Sequence, residues 1–99
     1  MTKENILKKL NDILDPDIGI GLVDLGLIYN VTVKNQDIDI LMTLTTPYCP
    51  FAQAFERGIE KKLSEISNVG KIFIKFTFDP PWNKDRISEE AKMKLGLLS

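Results

Sequence analysis

The one cysteine of this 99-residue chain, Cys49, stands in Thr45-Thr46-Pro47-Tyr48-Cys49-Pro50, between a run with strand alternation and a run with helical spacing. At the start of a helix, unpaired N–H groups and the positive end of the macrodipole favour a thiolate over a thiol. That placement predicts a Cys49 pKa below the free value of about 8.5 and makes the thiol the candidate reactive group. Pro47 and Pro50 restrict the backbone around it, and the Thr45 and Thr46 hydroxyls can bond a thiolate or a neighbouring N–H. Asp24 is the second candidate, flanked by Leu22, Val23, Leu25 and Leu27. A carboxylate in apolar surroundings has to cap N–H groups or meet a cation, so Asp24 either braces the turn beside Gly26 or tunes a nearby thiol or metal. The third candidate is the stiff corner Asp79-Pro80-Pro81-Trp82, whose indole either packs on the core or anchors a protein partner.

Missing residue types narrow this chemistry. With no histidine, Ser-His-Asp and Cys-His catalysis and the common His-containing zinc sites are excluded within the chain. A single cysteine excludes an intramolecular disulfide and falls short of the roughly four ligands of a closed zinc or iron–sulfur site. A cluster bound here is therefore shared between protomers or completed by a partner or a small thiol. Any thiol-dependent catalysis would need Asp24 or another carboxylate as its general base.

Thirteen basic and fourteen acidic residues alternate along the chain for a net charge of −1, with neither a basic stripe nor a polybasic patch. Nucleic-acid binding and membrane-surface binding are not expected, and no Gly-x-x-Gly loop joins paired helices as a KH-like domain would require. The N-terminus leads into an amphipathic pattern instead of an apolar signal core, and no run approaches the roughly 18 apolar residues of a membrane span. The expectation is a cytoplasmic protein forming one domain over residues 1–99.

The elements that position the candidates follow from periodicity. Ile6, Leu7, Leu10, Ile13 and Leu14 recur at helical spacing, with Thr2 as N-cap and a stop expected at Asp15-Pro16. Asp17-Ile18-Gly19-Ile20-Gly21 reads as a shaped loop. Leu27, Tyr29, Val31 and Val33 alternate as one strand, and Ile38, Ile40, Met42 and Leu44 as its hairpin partner across Lys34-Asn35-Gln36-Asp37. Pro50 suits a first helical turn, with Ala52, Phe55, Ile59, Leu63 and Ile66 on one face and Gly58 as a weak point. Ile72, Ile74, Phe76 and Phe78 form a third strand, and a short helix runs from Ser88 to Gly96. The order α-β-β-α-β-α predicts an α+β fold: a two-layer α/β sandwich with helices packed on a small mixed sheet, strand order open. In this topology the three candidate loops converge at one end of the sheet.

At those loops the chain resembles a known family. Asp15-Pro16-Asp17-Ile18 followed by Val23-Asp24-Leu25-Gly26-Leu27-Ile28-Tyr29 is similar to the "DPE-I…VDLGLIY" signature of the small metal–sulfur cluster assembly factors. That group includes SufT-like proteins, PaaD-like proteins of phenylacetate degradation and the domain used in cytosolic iron–sulfur assembly. Thr43 to Pro50 resembles its "T-x-P-x-CP" motif, and Pro80 to Ser88 its "PPWTPDMIS" motif, with Asn83, Lys84 and Arg86 in place of threonine, proline and methionine.

The resemblance implies an accessory factor, not a turnover enzyme, that assembles iron–sulfur clusters or delivers them to apo-proteins. It makes Cys49 the reactive thiol or the transient or shared ligand, Asp24 its companion, and Thr45 and Thr46 the residues shaping the loop. Trp82 is the candidate partner contact. The implied partners are apo iron–sulfur proteins, the assembly machinery and a second copy of the chain, with a transient or shared iron–sulfur cluster and none held stably by the monomer. Two other readings stand beside it: a PaaD-like component of an aromatic (phenylacetate) degradation oxygenase system, and a non-metal adaptor presenting Trp82.

Overall fold

A computed structural model describes residues 2–15, 18–45 and 52–96. Thr2 caps the first helix, α1 (Lys3–Asn11), its hydroxyl accepting the Asn5 N–H at 3.2 Å. A hairpin follows, β1 (Ile28–Lys34) and β2 (Asp37–Met42), then α2 (Ala52–Leu63), β3 (Ile72–Phe76), a 3-10 turn (Lys84–Arg86) and α3 (Glu89–Leu95). The sheet order is β1-β2-β3, with β1 antiparallel and β3 parallel to the central β2. This is the expected α+β arrangement with a mixed sheet. The parallel pair requires the α2 crossover, because parallel strands cannot be joined by a tight turn.

One face of the sheet is sealed. Val31, Ile38, Ile40 and Met42 are buried there with Ile6 and Leu10 of α1 and Phe55, Ile59 and Leu63 of α2, while Ile72, Ile74 and Phe76 pack against them. Side chains of successive strand residues alternate between faces, so Asn30, Thr32, Asp39, Phe73 and Lys75 line the opposite face and are exposed. A shallow hollow of about 530 Å³ lies on that outer side. Ser88 caps α3 by accepting the Ala91 N–H, and Gly96 closes the helix in the left-handed conformation, as the sequence leads one to expect. At Gly58 an added methyl would meet only Ile13, at 3.8 Å, so no close approach requires that glycine.

Three boundaries depart from periodicity. First, α1 stops at Asn11 instead of running to Asp15, and Leu14 is 54% exposed instead of lying on the apolar face. The Leu22 N–H donates to the Ile13 carbonyl and the Asp15 N–H to the Ile20 carbonyl, pulling residues 13–15 into a bridge between Leu14 and Gly21. Second, the register of β1 slips between Ile28 and Asn30, a bulge that takes Tyr29 out of the inward set. Third, β3 ends at Phe76 and Phe78 is exposed, because the Thr77 hydroxyl turns the chain by accepting the Asp79 N–H at 3.3 Å.

Candidate functional site

Asp24 is placed by the end of α1. The Asn11 amide reads the Asp24 residue twice: its oxygen accepts the Asp24 N–H at 2.9 Å, and its nitrogen donates to Asp24 Oδ2 at 3.0 Å. Only a side chain carrying both a donor and an acceptor can close such a pair. The Asn11 carbonyl and amide also lie where a side chain on Gly21 would have to go, so glycine there lets the loop pass against the helix end. Asp24 itself is half-buried, and its carbonyl accepts the Ser88 N–H at 2.7 Å, tying the start of α3 to the same turn. The turn closes through the Leu25 N–H to the Gly21 carbonyl and the Gly26 N–H to the Val23 carbonyl. Gly26 has φ +76°, and a methyl on it would overlap the Arg86 carbonyl. Both facts exclude other residues.

The Asp79–Trp82 corner meets this turn directly. The Trp82 indole N–H donates to the Leu25 carbonyl at 2.7 Å, with the ring partly buried against the core. Tyr29, displaced by the bulge, donates its hydroxyl to the Pro80 carbonyl at 2.8 Å, and the Arg86 guanidinium sits 4.5 Å above its ring centroid. The peptide bond before Pro80 is cis. Asn83 caps the 3-10 turn by accepting the Asp85 N–H at 2.9 Å. Two of the residues that depart from the resembled motif, Asn83 and Arg86, therefore hold the corner in place. Between the two loops and the outer sheet face lies a cleft of about 520 Å³ lined by Gly26, Ile28, Tyr29, Leu41, Asp79, Pro80 and Arg86.

The third loop leaves from the same end. Beyond β2 the Thr43 N–H donates to the Leu27 carbonyl at 2.8 Å, and the Thr77 N–H donates to the Met42 carbonyl at 2.9 Å. These bonds set the exit of β2 between the entry of β1 and the exit of β3. Thr43 is buried and Thr45 is exposed. Cys49 and Thr46 lie outside the described residues. The structure thus joins Asp24 to the Trp82 corner and starts the Thr45 loop beside them. Asn11 was not among the residues singled out from sequence; an amide in the last turn of a helix has no local signature, and its partner lies thirteen positions on. Among the described residues no three of His, Cys, Asp and Glu gather as a ligand set.

A family model described as "Iron-sulfur cluster assembly protein" matches residues 3–74. The chain belongs to this family. A Porphyromonas gingivalis relative called "Fe-S protein maturation auxiliary factor" is 42% identical over 98 residues, covering 98% of this chain and 93% of its own. The Staphylococcus aureus "Fe-S protein maturation auxiliary factor SufT" is 35% identical, covering 86% of this chain and 98% of its own. Among solved structures, a Bacillus anthracis domain of unknown function superposes with TM-score 0.91 at 34% identity, covering 96% of this chain and 92% of that one. The family model ends at residue 74, and the Porphyromonas gingivalis relative extends the likeness over 98% of the chain. Among the described residues no helix is long and apolar enough to cross a membrane.

Proposed function

We propose that this protein is an auxiliary maturation factor that helps assemble iron–sulfur clusters or deliver them to apo-proteins, acting in the cytoplasm as a carrier and not as a turnover enzyme. The observation that supports it is the 42% identity, along nearly the full length of both chains, to a relative bearing the name of such a factor. In this reading the cluster is cargo. Cys49 supplies one soft ligand to it, and one ligand binds weakly enough to release where a full set would hold. Asp24, fixed by Asn11, faces the transaction as a placed carboxylate; Thr45 and Thr46 shape the loop of the thiol. The exposed part of Trp82 is the contact offered to a recipient protein. The remaining ligands come from the recipient, from a small thiol or from another protomer, since the chain has neither a second cysteine nor a histidine.

The test is anaerobic reconstitution with iron and sulfide, followed by transfer to an apo iron–sulfur protein, for wild type and Cys49→Ser. Wild type is expected to acquire a sulfide-to-iron chromophore and to speed recovery of the acceptor's cluster. Cys49→Ser is expected to keep the wild-type melting temperature and lose both effects. Equal transfer by a folded Cys49→Ser protein would remove the thiol from the mechanism.

A further inference from the structure

The hydrogen-bond parity of β3 is fixed by the two ends of its ladder. Ile38 N–H donates to the Lys71 carbonyl at 2.9 Å, and Thr77 N–H donates to the Met42 carbonyl at 2.9 Å. With the register Ile38↔Ile72, Ile40↔Ile74 and Met42↔Phe76, residues 71, 73, 75 and 77 direct their backbone groups at β2. The N–H and C=O groups of Ile72, Ile74 and Phe76 therefore face away from the sheet, and no described residue pairs with them. Within Ile72–Phe76 there is no proline, glycine or bulge to blunt this edge.

The side chains on the outer face narrow what fits there. Phe73 is 50% exposed, and Lys75 is exposed two residues on. Neither Lys75 nor Asp39, which neighbours Phe73 on β2, has an ion-pair partner among the described residues. We infer that β3 pairs antiparallel with β3 of a second copy about a two-fold axis at Ile74. In that register Ile74 faces Ile74 of the copy and Ile72 faces Phe76, so every outward N–H and C=O of the three residues finds its complement. The same register sets Phe73 opposite Lys75 of the second copy, twice by symmetry. Opposed residues on one face have Cβ atoms about 5 Å apart, close enough for the lysine stem to cover the ring. The ammonium group then reaches toward Asp39 on the far side of that ring, supplying the missing charge partner. A second copy is thus favoured over an arbitrary extended peptide, because the exposed residues of this strand complement each other only when the strand meets itself.

The interface is small, in the size range of transient contacts, so micromolar dissociation is expected. It also constrains the proposed function. Strands running in opposite directions point the ends carrying Asp24 and Trp82 away from each other, so this dimer sets the two β2 exits at Thr43 on opposite sides of the joined sheet.

Sedimentation over about 5 to 500 μM, a range that brackets micromolar affinity, tests the pairing. A reversible monomer–dimer equilibrium is expected, with the Ile72, Ile74 and Phe76 amides exchanging more slowly as concentration rises while Phe73 and Lys75 amides are protected throughout. Phe73→Lys, at a half-exposed position, is expected to leave the fold intact and weaken dimerisation at least tenfold by opposing two lysine pairs. The double variant Phe73→Lys/Lys75→Glu is expected to restore it. A protein monomeric across the range, a dimer indifferent to Phe73→Lys, or a dimer whose exchange protection maps elsewhere overturns the inference.

Discussion

β1 and β3 occupy equivalent positions at the two edges of the sheet, yet they are finished in different ways. β1 carries a bulge at Tyr29 and the polar residues Asn30, Thr32 and Lys34, and its entry is bonded into the turn that holds Asp24. β3 is a straight Ile-Phe-Ile-Lys-Phe run whose outward backbone groups have no partner among the described residues. Bulges, charge and covering loops are the usual means of preventing edge-to-edge association. Here the bulge and the covering turn belong to β1, while β3 carries only the charge of Lys75. The difference teaches that the bulge does two jobs at once: it blunts one edge and swings Tyr29 over to the corner after β3, where it bonds Pro80. β3 has no such duty and stays available for pairing.

That contrast can be broken by mutation. The largest effect is expected at Gly26→Ala on the β1 side, where a positive φ and the Arg86 backbone leave no room. A loss of about 2–4 kcal/mol in urea unfolding is expected there, as for strained and overpacked positions. Asn11→Ala should cost about 1–3 kcal/mol, the price of leaving the Asp24 N–H and carboxylate without their partner. A nuclear magnetic resonance shift confined to residues 21–27 and the start of α3 would locate the damage. The smallest change is expected at Phe73→Ala on β3: within about 0.5 kcal/mol when measured on dilute monomer, since the ring is half exposed. Should Phe73→Ala cost as much as Gly26→Ala, the β3 edge would be part of the monomer's own packing, and the asymmetry drawn between the strands would fail.

Much of the frame was readable from residue spacing, and the errors have local causes. The caps at Thr2, Ser88 and Gly96 could be read because capping depends on one side chain or one glycine at a defined place. The inward set of β2 could be read because period-2 alternation holds there without interruption. The phase of β1 could not, since a bulge inserts one residue and nothing in Ile28-Tyr29-Asn30 marks it. The early end of α1 was hidden for a similar reason: Ile13 and Leu14 keep helical spacing, and only the bonds from Ile20 and Leu22 draw the chain away. Asp24 was found as an acid among leucines, but Asn11 was not, because its meaning depends on a residue in another element. The convergence of the Asp24 turn and the Trp82 corner is legible in the order of the elements, whereas the strand order is not, because alternation does not say which strands are neighbours.

The bonds that hold the Asp24 turn differ in how far they reach along the chain. Asn11 lies thirteen residues upstream, whereas Trp82 meets Leu25 across 57 positions. Loop-closure entropy makes the longer contact about 1.3 kcal/mol harder to close than the shorter one. Synthesis proceeds from the N-terminus, so a growing chain can clasp Asp24 to Asn11 well before Trp82 and Ser88 exist to lock the turn from the other side. The acid is held early, and its surroundings are completed late. Any opening that frees Trp82 and Ser88 leaves Asp24 clasped by Asn11 alone.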